Sequence, residues 1–146
     1  MKLKEGMKAP PFAEQAMHKN KWIVLYFYPK DDTPGCTREA CGFRDLSAEF
    51  AKENAVILGV SKDSVESHER FQSKYQLPFP LISDPELKLH EAYGAYGSKV
   101  LYGKTSLGVI RSTFLIDPEG IIAKAWYSVK VDEHVAKVLE AIRKGS

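Results

Sequence analysis

The segment from Leu25 to Cys41 decides the fold and has the sequence LYFYPKDDTPGCTREAC. Its first residues are apolar and aromatic, which indicates a buried strand. Its last residues begin a helical pattern. The prolines in between, Pro29 and Pro34, stiffen the connection because proline fixes φ and has no N–H. Gly35 leaves room for a ligand to approach the backbone closely. We therefore predict a strand, a short loop and a helix that begins near Cys36.

The position of Cys36 at this helix start favours a reactive sulfur. The N-terminus of a helix presents unpaired backbone N–H groups and a partial positive charge, and both favour a thiolate over a thiol. The thiolate is the nucleophilic form of cysteine. Thr33 places a hydroxyl three residues earlier, where it serves as an N-cap, points toward the same space as the sulfur, or does both.

Hydrophobic patterns around this segment predict alternating strands and helices. The predicted strands cover residues 22–28, 55–60, 81–83, 109–117 and 121–129, and the predicted helices cover residues 35–52, 64–75, 84–93 and 132–144. The third helix is predicted to have Asp84 at its N-cap and Pro85 at position N1. Residues 94–108 have the weakest pattern and are predicted to form a loop. This order predicts a parallel core with an antiparallel extension.

The pattern Pro29-x-x-x-Thr33-x-x-Cys36 resembles the active-site signature of the peroxiredoxins, which are thiol peroxidases. Cys41 follows five residues later, and this spacing resembles the bacterioferritin comigratory protein or peroxiredoxin Q subfamily. The resemblance covers most of the chain from Trp22 onward. It includes the segments GVSKDS at 59–64, LPFPLISD at 77–84 and RSTFLID at 111–117.

The resemblance implies a fold of the α/β class, a thioredoxin-like fold with a central mixed β-sheet flanked by helices. The chain departs from the family pattern near its start. Peroxiredoxins carry a longer connection with a hairpin between the segment that ends at Phe12 and the strand that begins at Trp22, and here only residues 13–21 intervene. The sequence therefore does not predict how the N-terminal edge of the sheet is formed. The catalytic pattern is complete.

The resemblance also implies the reduction of hydrogen peroxide and organic hydroperoxides. Cys36 is expected to attack one peroxide oxygen and become a sulfenic acid, while negative charge develops on the departing oxygen. Arg111 matches the arginine that peroxiredoxins place over the sulfur from a distant strand, where a guanidinium holds the peroxide. Thr33 is a second candidate donor, and Pro29 is expected to shield the sulfur from water.

Cys41 is expected, on the same resemblance, to resolve the sulfenic acid by forming an intramolecular Cys36–Cys41 disulfide. Thioredoxin or glutaredoxin is the implied electron donor, and no metal, haem or flavin cofactor is needed. If both cysteines lie on one helix, five residues separate them by roughly 7.5 Å of rise and about 140° of rotation. A disulfide needs Cα atoms within about 6.8 Å. We therefore predict that residues 35–42 unwind during turnover, aided by the low helix propensity of Gly42.

Other interpretations of the cysteines remain. Cys41 could be a small packed residue on the apolar face of its helix. The pair could also form a non-enzymatic redox sensor or relay, in which oxidation of Cys36 changes the helix and a partner protein responds. A thioredoxin-type oxidoreductase is disfavoured because it would use Cys-x-x-Cys. A zinc site is disfavoured because none of the histidines shows ligand spacing with the cysteines; these are His18, His68, His90 and His134.

The charged residues Asp31, Asp32 and Arg111 also admit both a structural and a functional interpretation. Asp31 and Asp32 are interpreted as solvated loop residues, because no third carboxylate lies at a spacing suited to a metal. Arg111 is predicted to lie within an apolar strand. A charged residue there favours a functional role over a surface salt bridge, because charged side chains are seldom buried without a partner.

Length and composition indicate one soluble domain covering residues 1–146. The chain is 44% hydrophobic and 27% charged, and its net charge of +2 is too small to indicate nucleic acid or membrane binding. The apolar run from Trp22 to Tyr28 is too short to span a bilayer, and residues 1–5 do not resemble a signal peptide. Two cysteines in such a chain favour redox chemistry. We expect a cytoplasmic protein that is a monomer, with a dimer possible.

Overall fold

A five-stranded mixed sheet forms the centre of the protein. The structure is a computed structural model and describes residues 2–145, except for the side chain of Leu101. The strands are β1 (Trp22–Phe27), β2 (Ala55–Ser61), β3 (Leu81–Ser83), β4 (Tyr96–Leu101), β5 (Lys104–Val109), β6 (Ser112–Ile116) and β7 (Ile122–Trp126). The helices are α1 (Pro34–Asp45), α2 (Ser47–Lys52), α3 (Val65–Tyr75), α4 (Lys88–Ala92) and α5 (His134–Gly145), with a 3-10 helix at Ala13–His18.

The strand order in the sheet is β3-β2-β1-β6-β7. The strands β1, β2 and β3 are parallel, whereas β6 and β7 run antiparallel to their neighbours. Val24 in the middle of β1 pairs with Ile57 on one side and Leu115 on the other. The predicted parallel core with an antiparallel extension is therefore confirmed.

The side chains of β1 alternate between two hydrophobic clusters, one on each face of the sheet. The first cluster contains Val24 and Tyr26 together with Phe43 of α1 and Val138 of α5. The second contains residues of β1 on the other face, such as Leu25, together with the aromatic side chains near α4 and β6. Every residue of β1 is buried, because both faces of the strand are covered. Cys36 belongs to the first cluster, so the sulfur lies at the edge of the main core.

The helical stretch predicted for residues 35–52 is two helices. The first helix, α1, ends at Asp45 and is capped by Leu46, whose N–H donates to the carbonyls of Gly42 and Arg44, and α2 then begins at Ser47. The final helix is close to the prediction, since its apolar face is buried against the sheet. Ser64 caps α3 as its sequence pattern indicates, because its side chain accepts a hydrogen bond from the Ser67 N–H at 3.1 Å.

Two local predictions are wrong. Residues 94–108 do not form a loop: β4 and β5 pair as an antiparallel hairpin of their own. Asp84 is not the N-cap of α4, which begins at Lys88 after Leu87 in the left-handed region (φ 62°). The Asp84 carboxylate instead accepts hydrogen bonds from the backbone N–H and from the ring of His90, at 2.9 and 2.6 Å. Asp84 therefore binds His90, within α4, instead of capping the first turn of a helix that begins at residue 85.

The N-terminal segment lies along the β6–β7 turn. Lys8 forms an antiparallel bridge with Ile121, and the Ala9 N–H donates to the Gly120 carbonyl at 2.9 Å. The 3-10 helix Ala13–His18 then leads to β1, so this short connection contains no hairpin. Within residues 2–145 there is no helix with the length and apolar character needed to cross a membrane.

Candidate active site

Cys36 lies in the first turn of α1, one loop beyond the carboxyl end of the central strand. Thr33 occupies the N-cap position with extended backbone, and Pro34 is the first helical residue. The first intrahelical hydrogen bond runs from the Thr37 N–H to the Thr33 carbonyl at 2.8 Å. The N–H of Cys36 precedes that bond, so it is one of the donors without an intrahelical partner that form the positive end of the helix dipole. Only 2% of the residue is exposed.

Arg111 is brought to Cys36 by tertiary structure. It lies in the two-residue link between β5 and β6, rather than within a strand as predicted. Its Nη2 donates to the Cys36 Sγ at 3.4 Å, and its Nη1 donates to Glu39 Oε1 at 2.7 Å. A Cβ added to Gly35 would lie 3.2 Å from Nη2, so the glycine makes room for this approach. A fixed positive charge beside the sulfur stabilises the thiolate.

Glu39 completes a line of charges that runs from the sulfur into the core. The residue is fully buried, and its second oxygen, Oε2, has no hydrogen-bond partner within the described residues. Burial raises the pKa of Glu39 to about 7, although the Arg111 guanidinium acts in the opposite direction. Burial works against the charge on Arg111 as well, but Glu39 and Cys36 together raise its pKa. The Arg111 guanidinium therefore stays charged, and it donates to both the Cys36 sulfur and the Glu39 carboxylate.

Thr33 and Pro29 lie in the loop that leads to the cysteine. The Thr33 Oγ1 donates to the Lys30 carbonyl at 2.8 Å and makes no capping hydrogen bond to α1. Thr33 is thus the N-cap by position only, and its hydroxyl oxygen keeps its lone pairs for another donor. Pro29 is half-buried at the start of the loop.

Cys41 lies on the same uninterrupted helix as Cys36, and both are free thiols. Cys41 is half-buried, whereas Cys36 is buried. Five helical residues separate the two cysteines by roughly 7.5 Å along the axis and about 140° around it. The two sulfurs therefore cannot join while α1 keeps this conformation.

The interpretation of Asp31 as a solvated residue is wrong. Asp31 is 7% exposed and accepts hydrogen bonds from the Tyr28 hydroxyl at 2.6 Å and from the Ser67 hydroxyl at 2.7 Å. Its neighbour Asp32 is exposed and pairs with Lys74 at 2.8 Å. Two adjacent carboxylates thus have opposite environments, which their shared loop sequence does not distinguish.

Glu39 lies beside Cys36 and Arg111 but was not predicted from the sequence. A signal was present, because Glu39 follows Cys36 by three residues and so lies on the same helix face as that sulfur and Phe43. A carboxylate on an apolar stripe needs a buried partner. The Tyr26 hydroxyl was also missed: it is buried on the same side of β1 and has no hydrogen-bond partner in the described part of the chain. Among residues 2–145, no three His, Cys, Asp or Glu side chains gather as a metal site would require.

Comparison with known proteins shows which family the chain belongs to. The family model described as the AhpC/TSA family matches residues 5–125. The chain belongs to the AhpC/TSA family. Peroxiredoxin Bcp of Bacillus subtilis is 49% identical over 152 residues, which covers 98% of this chain and 97% of that protein. Peroxiredoxin Bcp of Xanthomonas campestris is 50% identical over 126 residues, 86% of this chain and 79% of that protein.

Solved structures of the same type of peroxiredoxin superimpose closely. The Xylella fastidiosa PrxQ, crystallised as a mutant, gives a TM-score of 0.91 at 36% identity and covers 99% of this chain and 98% of that one. The Xanthomonas campestris bacterioferritin comigratory protein gives 0.86 at 44% identity and covers 98% and 91%. That protein was studied for its alkyl peroxide reduction activity. The predicted thioredoxin-like fold is confirmed, and this peroxiredoxin is an enzyme, a peroxidase.

Proposed function

We propose that this peroxiredoxin reduces hydroperoxides with two cysteines, Cys36 as the nucleophile and Cys41 as the resolving residue. The observation that carries the proposal is the 3.4 Å contact between Arg111 Nη2 and the Cys36 Sγ at the start of α1. A helix N-terminus and a guanidinium then both stabilise negative charge at one sulfur. The same arrangement supplies donors for the oxygen that departs.

In the first step the Cys36 thiolate attacks one oxygen of the hydroperoxide. The sulfur–oxygen bond forms as the oxygen–oxygen bond breaks, so the sulfur is oxidised to a sulfenic acid and the peroxide is reduced to water or an alcohol. Arg111 donates to the oxygen on which charge develops. The hydroxyl proton of Thr33 is already committed to the Lys30 carbonyl, so we infer that Thr33 accepts the hydroperoxide O–H and orients the substrate. Pro29 helps to keep water from the sulfur.

In the second step the Cys41 thiol attacks the sulfenic sulfur. A disulfide forms and the sulfenic oxygen leaves as water. Because the intact helix holds the cysteines apart, the first turns of α1 must unwind before this step. A thioredoxin or glutaredoxin then exchanges its dithiol for the disulfide and returns both thiols. We place this cycle in the cytoplasm, where such reductants keep thiols reduced.

The substrate range is proposed to include organic hydroperoxides as well as hydrogen peroxide. Support comes from the Xanthomonas campestris relative, which was studied for alkyl peroxide reduction. The alternative is a redox sensor or relay that uses the same two cysteines. A sensor without a reductant consumes one equivalent of peroxide, whereas the enzyme consumes many.

The test is peroxide consumption by the wild type, Cys36→Ser and Cys41→Ser, each with thioredoxin, its reductase and NADPH. We expect many turnovers for the wild type with hydrogen peroxide and with tert-butyl hydroperoxide. Cys36→Ser should lose all activity, and Cys41→Ser should accumulate a sulfenic acid at Cys36 that is visible by intact mass. Full cycling by Cys41→Ser would contradict its resolving role, and a single equivalent consumed by the wild type would favour the sensor.

A further inference from the structure

The loop between β1 and α1 is tied to the rest of the molecule through one buried carboxylate. Asp31 Oδ1 accepts from the Tyr28 hydroxyl at 2.6 Å. Asp31 Oδ2 accepts from the Ser67 hydroxyl at 2.7 Å and lies 2.7 Å from the His68 Nδ1. Two of these partners, Ser67 and His68, come from α3. The Asp31 side chain therefore fastens the loop to that helix.

The backbone of Asp31 is fastened as well. Its N–H donates to Asp63 Oδ2 at 2.8 Å, and the same oxygen accepts from the Ser61 hydroxyl at 2.7 Å. The Asp63 carbonyl in turn accepts from the Ser83 hydroxyl at 2.5 Å. The loop is thus joined to the carboxyl ends of β2 and β3. Since β1 pairs with β2 in parallel, the carboxyl end of β1 that leads into the loop lies at the same edge of the sheet.

The hydrogen bonds around His68 require a protonated ring. The Nε2 lies 3.1 Å from the Ile82 carbonyl, which can only accept, so Nε2 carries a proton. The Nδ1 lies 2.7 Å from an Asp31 oxygen that already receives the Ser67 hydroxyl, so Nδ1 donates too. Both nitrogens are donors only in the imidazolium form. His68 is 3% exposed, so this is a buried ion pair.

We propose that His68 is a positioning residue for peroxide reduction, because its imidazolium fixes Asp31 and thereby holds the loop that presents Pro29 and Thr33 to Cys36. The proposal rests on the peroxidase mechanism given above. Its structural route is short: the Thr33 hydroxyl is oriented by the Lys30 carbonyl, which belongs to the peptide bond that leads directly to Asp31. A displaced Asp31 therefore moves the acceptor that sets the Thr33 hydroxyl.

Loss of the His68 proton breaks one of its two hydrogen bonds. A neutral ring has one N–H, so either the Ile82 carbonyl or the Asp31 carboxylate loses its donor. The charged groups that face the ring are Asp31 from the loop and Asp63 from the β2–α3 connection. The other groups around the pair are neutral and come from β1 and α3: the Tyr28 phenol and the Ser67 hydroxyl.

The direction of the titration follows from these neighbours. Burial opposes the charge, but the hydrogen bond and the negative charge of Asp31 raise the pKa of His68 above 6.5. Since the folded pKa is the higher one, the ion pair stabilises the loop fully below pH 6.5. That contribution is lost as the pH rises through the folded value. The rate of Cys36 oxidation should therefore have an alkaline decline that belongs to His68.

The experiment compares His68→Gln with a matched control, His90→Gln. His90 is a second buried histidine on an aspartate, with Nδ1 2.6 Å from Asp84 Oδ2, and the hydrogen bond and ring contact of its side chain are with Asp84 and Phe27 rather than with the loop. The rate constant for oxidation of Cys36 by hydrogen peroxide is measured by stopped flow from pH 6 to 10. We expect His68→Gln to be slower than the wild type on the order of tenfold near pH 6.5. The ratio should approach one at high pH, where the wild-type ring is neutral too. His90→Gln should follow the wild-type profile.

A constant ratio at all pH values, or an equal loss in His90→Gln, would overturn the proposal. A second measurement does not depend on any variant: ¹H–¹⁵N spectra of the histidine rings of the wild type near pH 6.5. They should show both nitrogens of His68 protonated, and a neutral ring there would also overturn it. Failure of the peroxidase mechanism would look different, because the wild type itself would then show no peroxide-dependent oxidation of Cys36.

Discussion

Arg111 donates from its two terminal nitrogens to two groups that compete for one positive charge. Nη2 faces the Cys36 sulfur, and Nη1 faces the Glu39 carboxylate. Only 17% of the Arg111 side chain is exposed and none of Glu39, so solvent screens the pair weakly. The fork of the guanidinium suits this double contact, because it presents parallel donors in a rigid plane. A lysine at the same position could not reach both partners in that geometry.

Arg111→Lys is therefore expected to lower kcat/KM for hydrogen peroxide by about 10- to 100-fold. The reason is the loss of a charge-assisted hydrogen bond at the sulfur, at about 1.5–3 kcal/mol. The measurement is the second-order rate constant of Cys36 oxidation. The matched control is Arg38→Lys on the solvent side of α1, where Arg38 lies 3.9 Å from Asp132 and is 62% exposed. Equal rates for Arg111→Lys and the wild type would contradict the role of the guanidinium.

His134 makes the stability of the fold depend on acid pH. Its Nε2 lies 2.8 Å from the Thr113 hydroxyl, and burial lowers its pKa to about 4, helped by the charges of Lys137 and Arg111. Between pH 6.5 and 4 the unfolded chain binds a proton that the folded chain does not. Stability attributable to His134 is therefore full above pH 6.5 and falls by about 3 kcal/mol as the pH approaches 4.

His134→Gln should abolish most of this loss. Urea unfolding of the wild type and the variant at pH 7 and pH 4.5 gives the difference directly. Groups that both proteins share, such as Glu39, cancel in the comparison. The same loss of unfolding free energy in both proteins would show that His134 is not the group that titrates.

At the residue scale the sequence motif pointed to the candidate reacting groups but not to the side chains that hold them. Cys36 and Thr33 could be proposed as site residues because they belong to one local pattern. Arg111 required the resemblance to peroxiredoxins, since 75 residues separate it from the sulfur. Glu39 and His68 were missed because their partners lie far along the chain, 72 and 37 residues away. The hydrophobic periodicity of a short segment carries no information about pairs that are so far apart in the sequence.

At the scale of elements, the proposed mechanism requires α1 to be stable enough to hold Cys36 and weak enough to unwind before the disulfide forms. Gly42 contributes in two ways. Glycine has low helix propensity, and a Cβ at this position would lie 3.0 Å from Val135 Cγ2 on α5. The glycine therefore also lets the two helices approach closely. A larger residue at position 42 would clash with Val135, so the effect on helix stability can be measured only after Val135 has been shortened.

Gly42→Ala in a Val135→Ala background meets this condition, with Val135→Ala alone as the reference. The added methyl occupies space that the shortened residue 135 leaves, and it stabilises helical α1 by about 1 kcal/mol. If unwinding precedes the Cys36–Cys41 disulfide, the rate of disulfide formation should fall about fivefold, while oxidation of Cys36 is unchanged. The measurement is rapid-quench alkylation followed by mass spectrometry. An unchanged rate of disulfide formation would mean that α1 does not unwind before the bond forms.

Elements with a buried face were predicted well, and elements without one were not. β1 and β2 were recognised from unbroken apolar runs because both faces are covered. The hairpin of β4 and β5 was predicted as a loop because three of its large apolar residues face solvent: Val100 and Leu107 are 70% exposed and Tyr102 is 95% exposed. Its stability comes from backbone pairing, which leaves no hydrophobic alternation to detect.

At the scale of the whole molecule, the core contributes more to the free energy of unfolding than the hairpin of β4 and β5 does. Leu25 is fully buried at the centre of the sheet, whereas Leu107 lies on the hairpin with most of its surface in water. Leu25→Ala should cost about 2–5 kcal/mol of unfolding free energy, because it removes packed groups and leaves a cavity. Leu107→Ser should change it by less than about 0.5 kcal/mol. Urea unfolding of both variants checks this, and a large loss for Leu107→Ser would show that the hairpin packs on another surface in solution.

The overall order of strands was predictable because short connections and parallel crossovers leave few topologies. The N-terminal edge could not be predicted, because residues 13–21 are too few for the hairpin that peroxiredoxins usually carry there and the sequence offered no other pattern. The structure covers that edge with a 3-10 helix and the bridge from Lys8 to Ile121. These contacts depend on the β6–β7 turn more than one hundred residues later.

The most direct test of the two-cysteine mechanism is the disulfide itself. The reduced wild-type protein is mixed with one equivalent of hydrogen peroxide, quenched by alkylation and mapped by mass spectrometry without reduction. We predict a single product in which Cys36 and Cys41 of the same chain are joined and no thiol remains to be alkylated. An alkylated Cys41 beside an oxidised Cys36, or a disulfide between two chains, would contradict the account.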